Sequence, residues 1–532
     1  MTSLSKILLS IIVVMMCLGT ACSPAPVARE AAADTSTQQV SAVSELTYFP
    51  TDEWRSSTPE EQGVDSALIL QMFQKIQDEK INIHSVLLVR NGRLVTEAYF
   101  APYTQKIKHP VYSATKSVTS ILTGIAMQAG YIKSVDQKAL DFFPDIAQEV
   151  KDEKLKNLTL AHLLTMSAGY NTRTIPQAEA LSQKDASFDT VKHILTYNSI
   201  LTKPGTTFFY DSGAPHVLSA IIQQTTGMTT LEYAQKELFD PLGITGVTWQ
   251  TDPRGIALGC TGLELSPRDM AKIGYLYLNH GQWNGTQLVP AEWVDQSTTK
   301  HMETKGLMNE AENDGYGYFW WIDAYGGYSA HGFGGQYIFV VPKLQLVAVF
   351  TSGLADPVFP TPRKLMESFI LPAAKSTGPL TPSPSAAKLQ TYTAQLENPA
   401  PVPVAPLPEI AKQISGQTFE ITKSPVPYVK TIQLTFNDRT VYQSKSVWPD
   451  GKIYQVTGGL DNRFYLNEGV QGMNIVLKGY WQDDKTFIET LQDLSQIDTE
   501  THKYTFTGDK LTVDVNSGMG FYSFQMSGEL AK

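Results

Sequence analysis

Four Ser-x-x-Lys pairs occur in the chain: Ser3 with Lys6, Ser113 with Lys116, Ser297 with Lys300, and Ser385 with Lys388. A serine hydroxyl is a poor nucleophile until a base within hydrogen-bond reach removes its proton, and a lysine serves as that base only as a neutral amine. Both burial and the positive end of a helix favour the neutral form of an amine. Three of the pairs lack such surroundings. Ser3 lies in an apolar leader, Ser385 in a proline-rich stretch, and Ser297 in the polar run STTKHMETK. Ser113 alone opens a strong helical pattern, with Val118, Ile121, Leu122, Ile125 and Ala129 spaced to one buried face. At i and i+3 on a helix, the Ser113 hydroxyl and the Lys116 amine share a face. The competing assignment is a helix-capping serine beside a surface lysine.

Two later stretches complete a constellation. Tyr210 and Ser212, in KPGTTFFYDSG, precede the apolar helix run VLSAII, so both side chains can enter one cleft. Tyr210 has the chemistry to relay a proton to a leaving group, and Ser212 to hydrogen-bond within a Lys/Tyr network. The run Ser329-Ala330-His331-Gly332-Phe333-Gly334-Gly335-Gln336 leads directly into the strand pattern YIFVVP. Its glycines permit close backbone approach, and the N–H of Phe333 with that of Ser113 would form an oxyanion hole.

Other catalytic signatures are missing. No His-Glu-x-x-His, Cys-x-x-Cys, Gly-x-x-x-x-Gly-Lys or Gly-x-Ser-x-Gly is present, so zinc protease, P-loop and nucleophile-elbow assignments lose their support. The remaining histidines (84, 109, 162, 193, 216, 280, 301, 502) show no metal-ligand spacing and are expected to be structural or solvated; no metal or organic cofactor is expected. Cys260 is read as a small packing residue.

The elements that must position these groups are mixed. Leu68, Ile69, Met72, Phe73 and Ile76 recur at helical spacing, and HSVLLVRNGRLVTEAYF reads as two strands around an Asn91-Gly92 turn. Residues 336–353 predict a buried hairpin; Val217 to Thr226 and Pro267 to Leu278 predict helices. Strands at both ends with helices between give an α+β unit: one antiparallel sheet, closed by the two chain ends and flanked by helices. Nine prolines between Pro372 and Pro408 then predict a linker without helix or central strand. Beyond it, short alternating runs separated by Asn437-Asp438, Asp450-Gly451 and Gly508-Asp509 predict a C-terminal all-β antiparallel barrel.

Taken in order, the Ser113/Lys116, Tyr210/Ser212 and His331-Gly332-Phe333 motifs resemble the serine β-lactamase and penicillin-binding-protein superfamily. The likeness is to its class C-like branch of esterases, D-aminopeptidases and 6-aminohexanoate-dimer hydrolases. It runs from about Trp54 to Gly353 and includes LTLAHLLTMSAGY (158–170) and GLELSPRDMAKIGYLYLNHGQW (262–283). The resemblance implies a Ser113 acyl-enzyme, Lys116 as base, Tyr210 in proton transfer, and hydrolysis by water. Tyr-Asp-Ser replaces the Tyr-x-Asn of many members, and His331-Gly332 stands where β-lactamases and transpeptidases carry Lys-Thr-Gly. A neutral histidine binds a substrate carboxylate poorly. A small-molecule ester, amide or peptide is therefore the expected substrate. A β-lactamase or D-Ala-D-Ala carboxypeptidase is the alternative, and a silent member binding peptidoglycan or a protein is a third. The terminal barrel resembles lipocalin-like appendages of some members.

The 532 residues exceed what one core usually serves, and 42% hydrophobic with 10% aromatic residues is inconsistent with wholesale disorder. A formal net charge of −10 argues against a nucleic-acid surface. Lys6, the apolar run from Ile7 to Leu18, and Gly19-Thr20-Ala21 before Cys22 read as a secretory signal resembling a lipobox. The expectation is lipidation of Cys22 and anchoring in the bacterial envelope on the periplasmic or extracytoplasmic face. With Cys17 removed and Cys22 lipidated, Cys260 has no disulfide partner. The expected divisions are a signal (1–21), a flexible tether (22–46), the hydrolase-like domain (47–371), a linker (372–408) and the barrel (409–532).

Overall fold

A computed structural model of the chain describes residues 48–170, 185–197, 200–304, 313–358, 360–436, 440–470 and 472–532. The expected signal, the tether, Cys22 and the Asn437-Asp438 turn lie outside the described residues. No helix among the described residues is long and apolar enough to cross a membrane.

After helix α1 (Ser66–Asp78) come strands β1 (Ile83–Arg90) and β2 (Arg93–Tyr99). Asn91 and Gly92 between them both have positive φ, 49° and 72°, the geometry of a tight two-residue hairpin. Helices α2 (Thr115–Gln128), α3 (Gly213–Thr226) and α4 (Pro267–Leu278) occupy the middle. Strands β3 (Asn313–Tyr316), β4 (Trp321–Asp323), β5 (Gly327–Gly332), β6 (Gln336–Val341) and β7 (Leu346–Ser352) follow. The sheet order is β2-β1-β7-β6-β5-β4-β3. Pairing of Val86 with Phe350 and Leu88 with Ala348 joins the first and last strands, closing the unit from both chain ends.

Strand alternation gives the sheet two buried faces. Leu87, Val89, Ile338, Val340, Val347 and Val349 face the core containing α2, α3 and α4. Gly274 of α4 lies so close to that face that a Cβ would meet Val347 Cγ1 at 2.6 Å. Val86, Leu88, Tyr337, Phe339, Ala348 and Phe350 face a second core with Ile69, Met72, Phe73 and Ile76 of α1.

The proline-rich segment departs from expectation. Helix α5 (Pro384–Glu397) runs through its middle, and Leu389 and Leu396 are buried in the core beneath α1. All nine prolines lie outside its interior. Pro384 takes the first helical turn, where a missing N–H costs nothing, and residues 385–398 hold none. Residues 372–408 thus hold a helix, flanked by pieces without strand structure, that packs on the first domain.

Among the described residues the C-terminal unit has ten strands: β8 (Thr418–Lys423), β9 (Thr431–Thr435), β10 (Val441–Val447), β11 (Ile453–Gly459), β12 (Tyr465–Val470), β13 (Met473–Trp481), β14 (Thr486–Asp493), β15 (Thr499–Thr507), β16 (Lys510–Ser517) and β17 (Ser523–Leu530). Their order is β11-β10-β9-β8-β17-β16-β15-β14-β13-β12, and a β11–β13 pairing closes the barrel. Phe419, Phe487, Phe506, Val513 and Val515 fill part of its interior. The interior also holds a charged group: His502 Nδ1 lies 2.9 Å from Glu489 and Nε2 2.5 Å from Glu500. Tyr442 and Tyr504 donate to Glu489, and Tyr428 and Tyr522 donate to Glu500. Every carboxylate oxygen has a partner, which makes burial of the cluster tolerable.

Candidate active site

The nucleophile element is held from both sides. Val111 N–H donates to Leu263 O at 2.9 Å, and the Val111 carbonyl abuts β5, where a Cβ on Gly332 would lie 2.1 Å from it. Tyr112 has φ 46°, an uncommon conformation for a residue with a side chain, and feeds the tight turn Tyr112–Ala114 that opens α2. Such strain persists only when surrounding packing over-determines it. Helix α2 is buried nearly all round, and two of its polar side chains tie it to neighbouring backbone: Ser117 donates to Phe319 O and Thr119 to Gly259 O.

Lys116, 1% exposed, donates to Ser113 Oγ at 2.9 Å and to Cys260 O at 3.1 Å, and its Nζ stands 4.8 Å from the centroid of the Tyr210 ring. These three partners are neutral, and no carboxylate among the described residues pairs with it. Ser113, half-buried, is reachable from outside. The Cys260 carbonyl is one group that sequence reasoning missed. It is delivered because Gly259 sits against α3, where a Cβ would meet Pro215 O at 2.1 Å.

Tyr210 is positioned from below and beside. Phe209 N–H donates to Met166 O at 2.7 Å and Asp211 N–H reaches Met166 Sδ at 3.4 Å; Met166 itself has φ 54°. The Tyr210 ring stacks on Trp321 at 5.8 Å and meets Tyr316 edge-on at 6.3 Å. Asp211, 2% exposed, accepts from Gly213 N at 2.7 Å and Ala214 N at 3.1 Å and so caps α3. Ser212 stands at the start of that helix, half-buried, makes no capping hydrogen bond, and has no hydrogen bond to Lys116 or Tyr210. The structure therefore brings Ser113, Lys116 and Tyr210 together and leaves Ser212 at their margin.

His331 and Gly332 point to opposite faces of β5. Gly332 faces the nucleophile turn, whereas the His331 ring stacks on Trp321 at 5.2 Å, on the side holding Tyr337. Arg363 Nη2 lies 3.0 Å from His331 Nε2 and Ser329 Oγ lies 2.7 Å from the same atom. A guanidinium only donates, so Nε2 must offer its lone pair. Arg363 is in turn paired with Asp323 at 2.7 Å, both buried. Tyr210, Trp321 and His331 thus form one stack, with the histidine at the end remote from Lys116.

The glycines after His331 make room for protein. A Cβ at Gly335 would lie 2.2 Å from Ser352 Oγ and one at Gly334 2.3 Å from Ile497 Cδ1. Gln336 fixes the turn: its amide nitrogen donates to Phe333 O at 2.9 Å and Ser352 O at 2.7 Å, while Ser352 N–H donates back to its oxygen. The Phe333 ring meets Tyr112 edge-on at 5.6 Å. Among the described residues no group of His, Cys, Asp or Glu is arranged to hold a metal ion.

Residues 71–366, more than half of the chain, match the family described as Beta-lactamase. The chain belongs to the beta-lactamase family. It carries the fold of a group of serine hydrolases that includes esterases and amidases, and the resemblance in the motif order is matched at the level of the whole domain. A 6-aminohexanoate-dimer hydrolase of Paenarthrobacter ureafaciens is 25% identical over 293 residues, covering 51% of this chain and 72% of that protein. A lovastatin esterase of Penicillium rubens is 26% identical over 186 residues, 32% of this chain and 46% of that protein. Among solved structures, the octameric penicillin-binding protein homologue from Pyrococcus abyssi covers 87% of this chain and 99% of its own, at 17% identity and a TM-score of 0.45.

Proposed function

We propose that this beta-lactamase family member hydrolyses a small ester or amide through an acyl-enzyme on Ser113. The observation that carries the reading is the 2.9 Å separation of Lys116 Nζ and Ser113 Oγ, with the amine buried among neutral partners. Lys116 in its amine form takes the Ser113 proton as Oγ bonds to the substrate carbonyl carbon. The N–H groups of Ser113 and Phe333 receive the oxyanion that forms. Collapse of the tetrahedral adduct breaks the bond to the leaving group, which departs with a proton relayed through Tyr210 and Lys116. Water, deprotonated by the same pair, then releases the acid and restores Ser113. His331 and Gly332 act in support, the first through Trp321 to Tyr210, the second by admitting Val111.

Two observations favour an ester or amide over a β-lactam. His331 occupies the place of a cationic lysine, and its ring is engaged with Arg363 and Ser329. The Arg363 charge is itself paired with Asp323. Two of the relatives, a dimer hydrolase and an esterase, agree with that preference. The reading includes the envelope location, with Cys22 as the lipidated residue. A chromogenic ester and a chromogenic cephalosporin assayed side by side test the proposal. Turnover of the ester, abolished by Ser113→Ala, is expected; cephalosporin turnover exceeding that of the ester would replace it with a β-lactamase.

A further inference from the structure

The barrel reaches the catalytic turn. Its β14–β15 loop, residues 494–498, seats Ile497 against the domain carrying Ser113. The Ile497 side chain fills the space beside Gly334, and its carbonyl lies 2.2 Å from where a Cβ on Gly353 would stand. Tyr103, Val476 and Leu494 form a shared apolar cluster across the same junction, and Tyr103 Oη lies 3.4 Å from Gln496 O. Two glycines of the first domain are therefore sites where the second domain replaces a side chain.

A second barrel loop, residues 518–522 between β16 and β17, is fastened to the first. Asp498 accepts from Ser517 Oγ at 2.6 Å and Met519 N at 2.9 Å, and Gly518 N–H donates to Thr499 O at 2.7 Å. This loop carries Phe521, whose ring stacks on Phe333 at 6.1 Å with the planes 25° apart. Phe333 in turn meets Tyr112, the neighbour of Ser113. The three rings form a row that starts beside the nucleophile and ends on the barrel, and all three are only half-buried. Rings left partly exposed beside the half-buried Ser113 offer an apolar surface to a group bound at that serine.

We infer that the barrel is part of the active site: Phe521 bounds the cleft on the Phe333 side and sets the size of the apolar group a substrate can place there. The inference rests on the Ser113 hydrolase reading and names a specificity determinant for it. The ring contact of Phe521 is with Phe333 and the polar partners of Lys116 are Ser113 and Cys260, so removing Phe521 changes which substrates fit and leaves the chemistry of the small ones alone.

The test uses the full chain and two fluorophosphonates, one with a slim alkyl group and one with a bulky aromatic group, with labelling rates at Ser113 read by mass. In Phe521→Ala the slim probe reacts within about twofold of the wild-type rate, which also reports a folded site. The bulky-to-slim rate ratio rises about tenfold, the discrimination a filled apolar space typically supplies. Phe521→Leu, which keeps an apolar side chain for folding, raises the ratio less, and Phe521→Trp lowers it. A ratio that is unchanged or falls in the Ala and Leu variants overturns the inference while leaving the hydrolase reading intact. Failure of both probes to label the wild-type protein overturns that reading and this inference with it.

Discussion

Asp211 offers a sharp test of how the site is held, because it caps α3 while standing next to Tyr210. Its carboxylate accepts two N–H groups, at 2.7 and 3.1 Å, from the first turn of a helix that is buried along most of its length. Replacing Asp211 by alanine removes the cap, which typically costs about 0.5–2 kcal/mol. It also leaves buried N–H groups without an acceptor, at about 1–3 kcal/mol each. The two costs overlap, so the expected loss is about 2–4 kcal/mol, or roughly 3–6 °C in the melting temperature of a domain of this size. Asp211→Asn keeps one acceptor oxygen and should lose about half as much. Both variants should also lower ester turnover, since the Phe209–Asp211 segment that carries Tyr210 is fixed at that point. Thermal unfolding by circular dichroism, run beside a kcat measurement, reads both effects. An alanine variant that melts within about 1 °C of the parent and keeps its kcat would refute the assigned role.

The barrel cluster predicts a pH window. Burial alone would depress the pKa of His502, but the charges and hydrogen bonds of Glu500 and Glu489 outweigh it and push the value from 6.5 up to about 10. Burial alone would raise Glu500; His502, Tyr428 and Tyr522 outweigh that and bring it from 4.5 down to about 2. The histidine contribution to stability is therefore complete below about pH 6.5 and is lost as pH rises toward 10, while that of Glu500 is present above about pH 4.5 and is lost as pH falls toward 2. Denaturant midpoints across this range should show a plateau between those limits and an alkaline decline that His502→Gln flattens; an equal decline in the variant would exclude the cluster as its source. Tyr210→Phe should reduce kcat by roughly 10²–10⁴-fold, the range for general acid–base groups, with the ring stack on Trp321 and the melting temperature retained. An undiminished rate would assign proton transfer to Lys116 alone.

The parts of the site legible in the sequence are those written in local spacing. Ser113 and Lys116 are one helical turn apart, Asn91-Gly92 forces a hairpin, and the near-continuous apolar runs in residues 336–353 mark two central strands buried on both faces. Tyr210 was legible by its order in the chain, but the groups that hold it were not. Met166 acts through a strained backbone that its side-chain type does not advertise. Asp and Ser are both residue types that cap helices, and the sequence does not say that Asp211 caps α3 while Ser212 makes no capping bond. Proline density across 372–408 concealed α5 because the prolines crowd both flanks of a proline-free helix. The contact of Phe521 with Phe333 joins segments far apart in the chain, and no local pattern announces it. The glycines after His331 illustrate the same limit, since their type predicts close approach without saying that Val111, Ser352 and Ile497 are what approach.

The central claim is that Ser113 becomes acylated with Lys116 as its base, and intact-protein mass spectrometry after brief exposure to a small activated ester tests it most directly. The account predicts a single adduct of the acyl mass, mapped to Ser113, decaying with turnover, and absent from Ser113→Ala. An adduct that persists in Ser113→Ala, or turnover of the ester with Ser113 unmodified at every time point, would contradict it.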